Sequence, residues 1–210
     1  KRIEAQKGFV SRLADALALQ AGAVSADIVH EEPPSPMAPP NAVATAPSAG
    51  SSVARAVKAA MPAVQITGYD ADPEVRHRAR AIGLCDDVSD LSGTAVIDAA
   101  LVILCVPVGA MGSVAAEFAA DLPADAIISD VGSCKESVAH ALAKALPGAT
   151  IIPAHPVAGT EKSGPDAGFA TLFHGRWCIL TPPDHAPEAA VAALRAFWER
   201  LGADVEIMDA

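Results

Sequence analysis

Short apolar runs alternate with helix-like segments from Gly50 onward in this chain of 210 residues. The clearest run is Leu101–Val106, which contains no charged residue. A continuous apolar run of this length is typical of a strand that is covered on both faces. Such strands, when helices separate them, build repeated β-α-β units. The alternation therefore predicts an α/β fold with a doubly wound parallel sheet, in which ligands bind beyond the carboxyl ends of the strands.

Apolar periodicity and turn residues predict the bounds of the elements. Strands are predicted at 64–69, 101–106, 126–129, 149–152, 177–180 and 205–208. Helices are predicted at 51–60, 72–83, 133–146 and 188–201, with one more that ends near 120. Asp72 is predicted to cap its helix, which ends at Gly83, and Ser133 with Glu136 has the pattern of a capping box.

The first part of the chain has a different composition. Residues 1–20 carry apolar residues at roughly helical spacing, which predicts an N-terminal helix. Residues 21–49 are rich in proline, which lacks an amide donor and resists both helix and sheet. We therefore predict a linker or irregular arm at 21–49, followed by one α/β domain at 50–210.

Composition excludes several classes of function. With 51% hydrophobic residues the chain can build a sizeable core, and its formal charge of −10 argues against nucleic acid or an anionic membrane as partner. No apolar run reaches the roughly 18 residues that span a bilayer, and no signal peptide is recognisable. The cysteines form no CxxC motif, so we predict no metal site and a cytoplasmic location. They are Cys85, Cys105, Cys134 and Cys178.

Two strand ends carry candidate cofactor residues. Asp70 lies 20 residues after Gly50, where the acidic residue of a dinucleotide fold binds the adenosine ribose. Its charge would repel a 2′-phosphate and favour NAD over NADP; otherwise Asp70 only begins the turn before Asp72. Val106 and Pro107 end the next strand, where they either line the nicotinamide ribose or simply stop the strand.

A third candidate segment, residues 130–135, follows a strand and opens a helix. Its amides, including that of Gly132, favour negative charge at the ligand crevice. Ser133 is either a ligand-binding hydroxyl or a helix cap. Lys135 either binds an anion or is solvated on the first turn of the helix.

The most informative segment is 154–164, in which His155 follows a strand and precedes a polar loop that contains glycine. Histidine is the side chain best suited to exchange a proton near neutral pH. The alternative is that His155 only fixes the loop by a hydrogen bond. The other histidines, which we expect to be surface or packing residues, are His30, His77, His140, His174 and His185.

Together these motifs resemble the prephenate/arogenate (cyclohexadienyl) dehydrogenase family of tyrosine biosynthesis. The resemblance covers roughly residues 50–209 and rests on the segments 68–70, 101–108, 130–135, 155–164 and 177–182. It implies a Rossmann-like dinucleotide-binding domain at 50–210 and an NAD(P)-linked oxidative decarboxylation of prephenate or arogenate. The family is typically a homodimer through a helical domain.

The resemblance also implies roles for individual residues. His155 corresponds to the histidine that hydrogen-bonds or deprotonates the ring hydroxyl, and Ser133 to the serine that orients both. Glu161 corresponds to a gating or substrate-side polar group, and Asp70 to the ribose-binding acid. Lys135 is a further candidate for substrate binding.

Two departures from the family pattern lead to an expectation of impaired activity. The family opens with a strand and G-x-G-x-x-G, but Thr45 and Pro47 stand where its first two glycines belong, and only Gly50 remains. Pro47 removes an amide and blocks close approach to a pyrophosphate, so we expect weak NAD binding. An altered reading frame upstream of Gly50 would produce this pattern. We also expect the helical domain to be missing, because the chain stops at Ala210.

Two other functions remain open. One is a different NAD(P)-linked reductase, of the β-hydroxyacid dehydrogenase type, although the loop that begins at His155 counts against it. The other is a nucleotide-sensing or vestigial domain without catalysis.

Overall fold

The computed structural model describes residues 47–159 and 163–209. Its helices are α1 Pro47–Ala60, α2 Pro73–Ala81, α3 Ser92–Val96, α4 Met111–Phe118, α5 Lys135–Ala145 and α6 Glu188–Arg200. Its strands are β1 Thr67–Gly68, β2 Asp87–Val88, β3 Leu101–Leu104, β4 Ile127–Asp130, β5 Thr150–Ile151, β6 Ala154–Pro156, β7 Trp177–Leu180 and β8 Asp204–Ile207. None of the helices described is long and apolar enough to cross a membrane.

The described strands pair in three groups. β1 pairs with β2, β3–β4–β5 form a parallel sheet, and β6–β7–β8 form the third group. Leu104 of β3 is opposite Asp130 of β4, so these two strands end side by side. β6 runs antiparallel to β7, whereas β8 is parallel to β7. The predicted α/β doubly wound fold with a parallel sheet is confirmed, and β6, a short strand that the sequence did not predict, adds one antiparallel pair with β7.

Helices cover both faces of the central sheet. Ile127 of β4 packs in one cluster with Val57 of α1 and Leu194 of α6. The next residue, Ile128, packs on the other side with Leu142 of α5. Successive side chains of a strand point to opposite faces, so a strand between two helical layers needs apolar residues at every position. This explains the continuous apolar runs in the sequence.

The predicted helix ends are confirmed at α2 and wrong at α5. Asp72 caps α2 by accepting a hydrogen bond from the Glu74 amide at 2.8 Å, and Gly83 has a φ of 61°. The predicted capping box does not form, because α5 begins at Lys135 and its N-cap is Cys134, without a side-chain cap. Ser133 therefore lies one residue too early to act as the N-cap.

Other bounds shift as well. The strand predicted at 64–69 is reduced to β1, and α1 begins at Pro47, inside the predicted irregular arm, where a first-turn proline needs no amide partner. The short elements β2, α3 and β6 were not predicted. The helix predicted at 1–20 and the arm up to residue 46 lie outside the described residues.

Candidate active site

The ends of β3 and β4 bring two predicted cofactor segments together. The Val131 amide donates to the Leu104 carbonyl at 3.2 Å, which continues the pairing beyond the strands. A Cβ atom added at Gly132 would lie 3.0 Å from Val108 Cγ2 and 3.0 Å from Asp130 Oδ2. The segment after β3, which holds Val106 and Pro107, therefore lies directly against Gly132.

Gly50 brings α1 close to the same sheet edge. A Cβ atom added at Gly50 would lie 3.3 Å from Cys105 Cβ, so a side chain there would push the helix away from the end of β3. The first turn of α1 has no acidic residue, which leaves the positive end of the helix dipole without an opposing charge. Both features fit a helix that faces a dinucleotide. Thr45 lies outside the described residues.

A buried ion pair lies at the carboxyl end of β4. The Asp130 side chain is completely buried and accepts hydrogen bonds from the Gly132 amide at 2.7 Å and the Ala154 amide at 3.2 Å. Lys135 Nζ lies 2.6 Å from Asp130 Oδ2 and donates a second hydrogen bond to the Ala154 carbonyl at 2.5 Å. We call this junction, formed by Asp130, Lys135 and the backbone of Ala154, the β4–β6 seam.

Burial opposes the charged form of both members of this pair. Desolvation raises the pKa of Asp130, against the charge of Lys135 and its hydrogen bonds. Desolvation lowers the pKa of Lys135, against the charge of Asp130 and its hydrogen bond. Each group thus stabilises the charged form of the other. The two hydrogen bonds of the Lys135 ammonium lie within the protein, and its predicted role in substrate binding remains a prediction.

His155 lies in β6, directly after the seam. It is opposite Ile179 of β7 and is half-buried. Its Nδ1 atom is buried and makes no hydrogen bond to any described residue. Burial and then the charge of Lys135 lower the pKa of His155, and the nearby backbone of Val131 and Gly132 and the charge of Asp130 oppose this shift. The lowered pKa favours a neutral imidazole, the form that can accept a proton.

Ser133 lies on the rim of this site. Its side chain is exposed, and its hydroxyl is 3.9 Å from the Sγ atom of Cys134. Since it does not cap α5, the helix-capping explanation of this serine no longer applies. Its role toward a ligand remains a prediction, now without the competing structural role.

Asp70 has only local contacts among the described residues. Its Oδ1 accepts a hydrogen bond from the Asp72 amide at 2.9 Å. Arg76 donates to the carbonyl of Asp70 at 2.6 Å and to the Asp90 carboxylate at 3.0 Å. These contacts hold the neighbouring guanidinium in place and do not neutralise the Asp70 carboxylate. Glu161 lies outside the described residues.

The cysteines are dispersed and unpaired. All four are free, and Cys178 is buried in β7, where desolvation raises the pKa of its thiol to about 12. Within residues 47–159 and 163–209, no group of three or more His, Cys, Asp and Glu side chains is placed to hold a metal ion.

The sequence model of the family described as "Prephenate dehydrogenase, nucleotide-binding domain" matches residues 53–207. This chain belongs to the prephenate dehydrogenase family. Cyclohexadienyl dehydrogenase from Zymomonas mobilis is 51% identical over 161 residues, which are 77% of this chain and 55% of that protein. Prephenate dehydrogenase from Bacillus subtilis is 34% identical over 148 residues, which are 70% of this chain and 40% of that protein. The chain thus spans about half the length of these relatives, and the predicted family is confirmed.

A solved structure of the family also resembles this chain. Prephenate dehydrogenase from Aquifex aeolicus, in complex with hydroxyphenyl propionate and NAD+, has a TM-score of 0.71 and 28% identity. The match covers 77% of this chain and 57% of that one. The family match begins at residue 53, three residues after Gly50, so the role of Gly50 rests on its packing against Cys105 alone.

Sequence reasoning missed Asp130 as an organising residue of the site. The signal for it was present: a carboxylate ends a strand whose other residues are apolar or small, and a buried charge requires partners. What the sequence could not give was the identity of those partners. One of them is the backbone of Ala154, which lies 24 residues further along the chain.

Proposed function

We propose that this chain is the nucleotide-binding part of an NAD-dependent dehydrogenase that oxidatively decarboxylates prephenate or arogenate. The observation that carries the proposal is the placement of His155. The imidazole is half-buried, and its lowered pKa favours the neutral form. The preceding residue, Ala154, is hydrogen-bonded to Asp130, whose pairing with Lys135 links His155 to the Gly132 segment. The chain belongs to the prephenate dehydrogenase family. The four free cysteines fit a reducing cytoplasm.

The residues present fit NAD at three points. The bare Cα of Gly50 permits close packing of α1, the Gly132 segment lies against the end of β3, and Asp70 keeps an exposed carboxylate. NAD, when bound, accepts a hydride from the ring carbon that bears the hydroxyl group. We infer that His155 accepts the hydroxyl proton and that Ser133 orients this hydroxyl, while loss of the ring carboxylate as carbon dioxide makes the ring aromatic.

The role of His155 can be tested in a chimaera. Residues 53–207 of this chain would replace the matching domain of the Zymomonas cyclohexadienyl dehydrogenase. We expect the chimaera to oxidise prephenate with NAD, and His155→Asn to lower its turnover by about 10²–10⁴-fold. The dissociation constant for NAD should stay nearly level, because asparagine keeps a polar group of similar shape but accepts no proton. Steady-state kinetics and calorimetric titration measure the two effects separately.

His140→Asn is the matched control, because His140 is exposed on α5. It should leave turnover unchanged. Near-normal turnover of His155→Asn would show that His155 only fixes its loop. An inactive chimaera that still folds and binds NAD would contradict the proposed activity itself. Relative rates with prephenate and arogenate then identify the preferred substrate.

The proposed preference for NAD rests on Asp70. The chain should bind NAD more tightly than NADP, because the exposed carboxylate repels a 2′-phosphate. Asp70→Ser should reduce this preference. Asp72→Ser is the matched control: it removes the same charge two residues away, and serine is also a good helix cap. Tighter binding of NADP by the parent chain would refute the assignment of Asp70.

Affinity for NAD should be weak in this chain, because Pro47 has no amide to offer a pyrophosphate. Calorimetric titration of the purified chain measures it directly. Binding in the low micromolar range would show that the altered glycine segment does not impair the cofactor site. If no nucleotide binds at all, a vestigial domain becomes the better interpretation.

A further inference from the structure

The β4–β6 seam lies where the backbone ladder of the sheet is interrupted. The Ile152 amide donates to the Ile128 carbonyl at 2.9 Å, which continues the pairing of β4 with β5. The next residue, Pro153, has no amide to donate. Beyond it the chain pairs with β7 instead, and β6 belongs to a different group of strands from β4.

On the side that faces β4, two side chains supply hydrogen bonds to the backbone where the ladder is missing. The Ala154 amide donates to Asp130 Oδ1 at 3.2 Å, and the Ala154 carbonyl accepts from Lys135 Nζ at 2.5 Å. Both backbone polar groups of this fully buried residue are therefore bound by the ion pair. The following residue is His155.

We propose that Asp130 and Lys135 are positioning residues that fix the main chain of β6 and thereby aim the imidazole of His155 into the site. This inference rests on the proposed function only in taking His155 as the proton acceptor. It differs from substrate binding by Lys135, because the ammonium group acts here through Ala154. Neither side chain needs to touch substrate.

The charges of both residues also act on His155. Asp130 lies in β4 and Lys135 in α5, and their charges shift the pKa of His155 in opposite directions. On β7, Cys178 is opposite Pro156, the residue after His155, and burial raises the pKa of its thiol to about 12, so it is uncharged near neutral pH. Removal of either charge therefore has a predictable sign.

The first experiment measures the pKa of His155 by NMR in the chain without cofactor or substrate. Its signal is identified by its loss in His155→Asn. Lys135→Met should raise this pKa, Asp130→Asn should lower it, and Lys135→Arg should keep it near the parent value. Lys144→Met, an exposed lysine on the same helix, is the matched control and should change nothing. If both charge-removing substitutions move the pKa upward, toward that of an exposed histidine, they only loosen the fold and the proposal is wrong.

A second variant removes the problem of an unpaired buried charge. Asp130→Asn combined with Lys135→Met leaves neither charge behind, so the fold should persist. Its Ala154 amide should exchange with solvent about tenfold faster relative to the Ile152 amide, because Ala154 has lost its charged partners while Ile152 keeps its ladder bond. Equal acceleration of both amides would overturn the proposal. Neither measurement involves NAD or prephenate, so failure of the proposed function would leave these results unaffected.

Discussion

The β4–β6 seam and the unit formed by β1, α2 and β2 both contain ion pairs, but these pairs differ in burial. In the seam, Asp130 is fully buried and the Lys135 side chain is 11% exposed. In the unit, the Asp90 side chain pairs with Arg76 and Arg80 and is 67% exposed. An exposed pair contributes about 0–1 kcal/mol, whereas breaking a buried pair costs about 3–5 kcal/mol. The seam thus depends on its charges, whereas the unit is held by a small apolar cluster of Ala79, Leu84 and Val88, to which Ala54 of α1 contributes.

Removal of one carboxylate from each region tests this contrast most strongly. Asp130→Ala leaves the Lys135 ammonium, the Gly132 amide and the Ala154 amide without their partner, so it should cost about 3–5 kcal/mol of the free energy of unfolding. Asp90→Ala should cost far less, because water replaces the lost partner. Urea unfolding of both variants gives the two values.

Equal losses of unfolding free energy in the two variants would show that burial does not decide how much an ion pair contributes to stability in these two regions. A small loss in Asp130→Ala alone would mean that the Lys135 ammonium reaches water easily. The seam would then be a weak junction.

Helix α1 packs against both regions, because its Val57 lies in one cluster with Ala154 of the seam and its Ala54 lies in the cluster of the unit. This helix provides a second test. The loop after β6 lies against α1, where a Cβ atom added at Gly168 would be 2.5 Å from both Ser51 C and Ser52 N. Gly168→Ala should therefore displace the loop or the helix and cost about 1–3 kcal/mol, measured by thermal unfolding.

The matched control is Gly109→Ala, since a Cβ atom at Gly109 meets nothing within 4 Å. That variant should stay close to the parent in stability. If the two alanine variants unfold at the same temperature, the loop does not pack against α1 as closely as the structure indicates.

The smallest expected effect is a change in the pH dependence of stability. The pKa of His155 is lowered by burial and by Lys135, so the unfolded chain binds a proton more readily than the folded one. Stability from this residue is therefore present above the ordinary histidine pKa and is lost as the pH falls through the folded value. Chemical unfolding of the parent and of His155→Asn over this range should show a shallower loss in the variant.

His77→Asn is the control, since His77 is exposed on α2. It should keep the acid sensitivity of the parent. An unchanged slope in His155→Asn would assign that sensitivity to other groups.

The sequence predicts the central part of the fold well, because covered strands require apolar residues at every position. β7 is predicted at its observed bounds, and β3, β4 and β5 fall within two residues of theirs. The short strand β6 is missed, because its three residues follow Pro153 and end at Pro156 and are too few to show an alternating apolar pattern. The capping box at Ser133 fails for a different reason: α5 begins two residues later than predicted, at Lys135, whose ammonium pairs with Asp130, and the local sequence pattern does not show that contact.

The sequence predicts which residue types form the candidate site, but it does not predict the hydrogen bonds that join them. In the sequence, His155 and the Gly132 segment stand out because each follows a predicted strand, and parallel strands end at a common edge. In the structure, His155 itself lies in the short strand β6. The link between them runs through Asp130 to a backbone group 24 residues away. Only the folded chain reveals such a contact.

The interruption of the ladder at Pro153 has a consequence for how this part of the chain responds to substitution. A backbone ladder is formed by N–H and C=O groups, which every residue except proline supplies. Most substitutions therefore leave its hydrogen bonds in place. Beside β4, by contrast, the main chain of β6 is bound by two side chains, Asp130 and Lys135. A substitution at either position therefore changes the hydrogen bonds of Ala154, directly beside His155, while the backbone pairing of β6 with β7 stays in place.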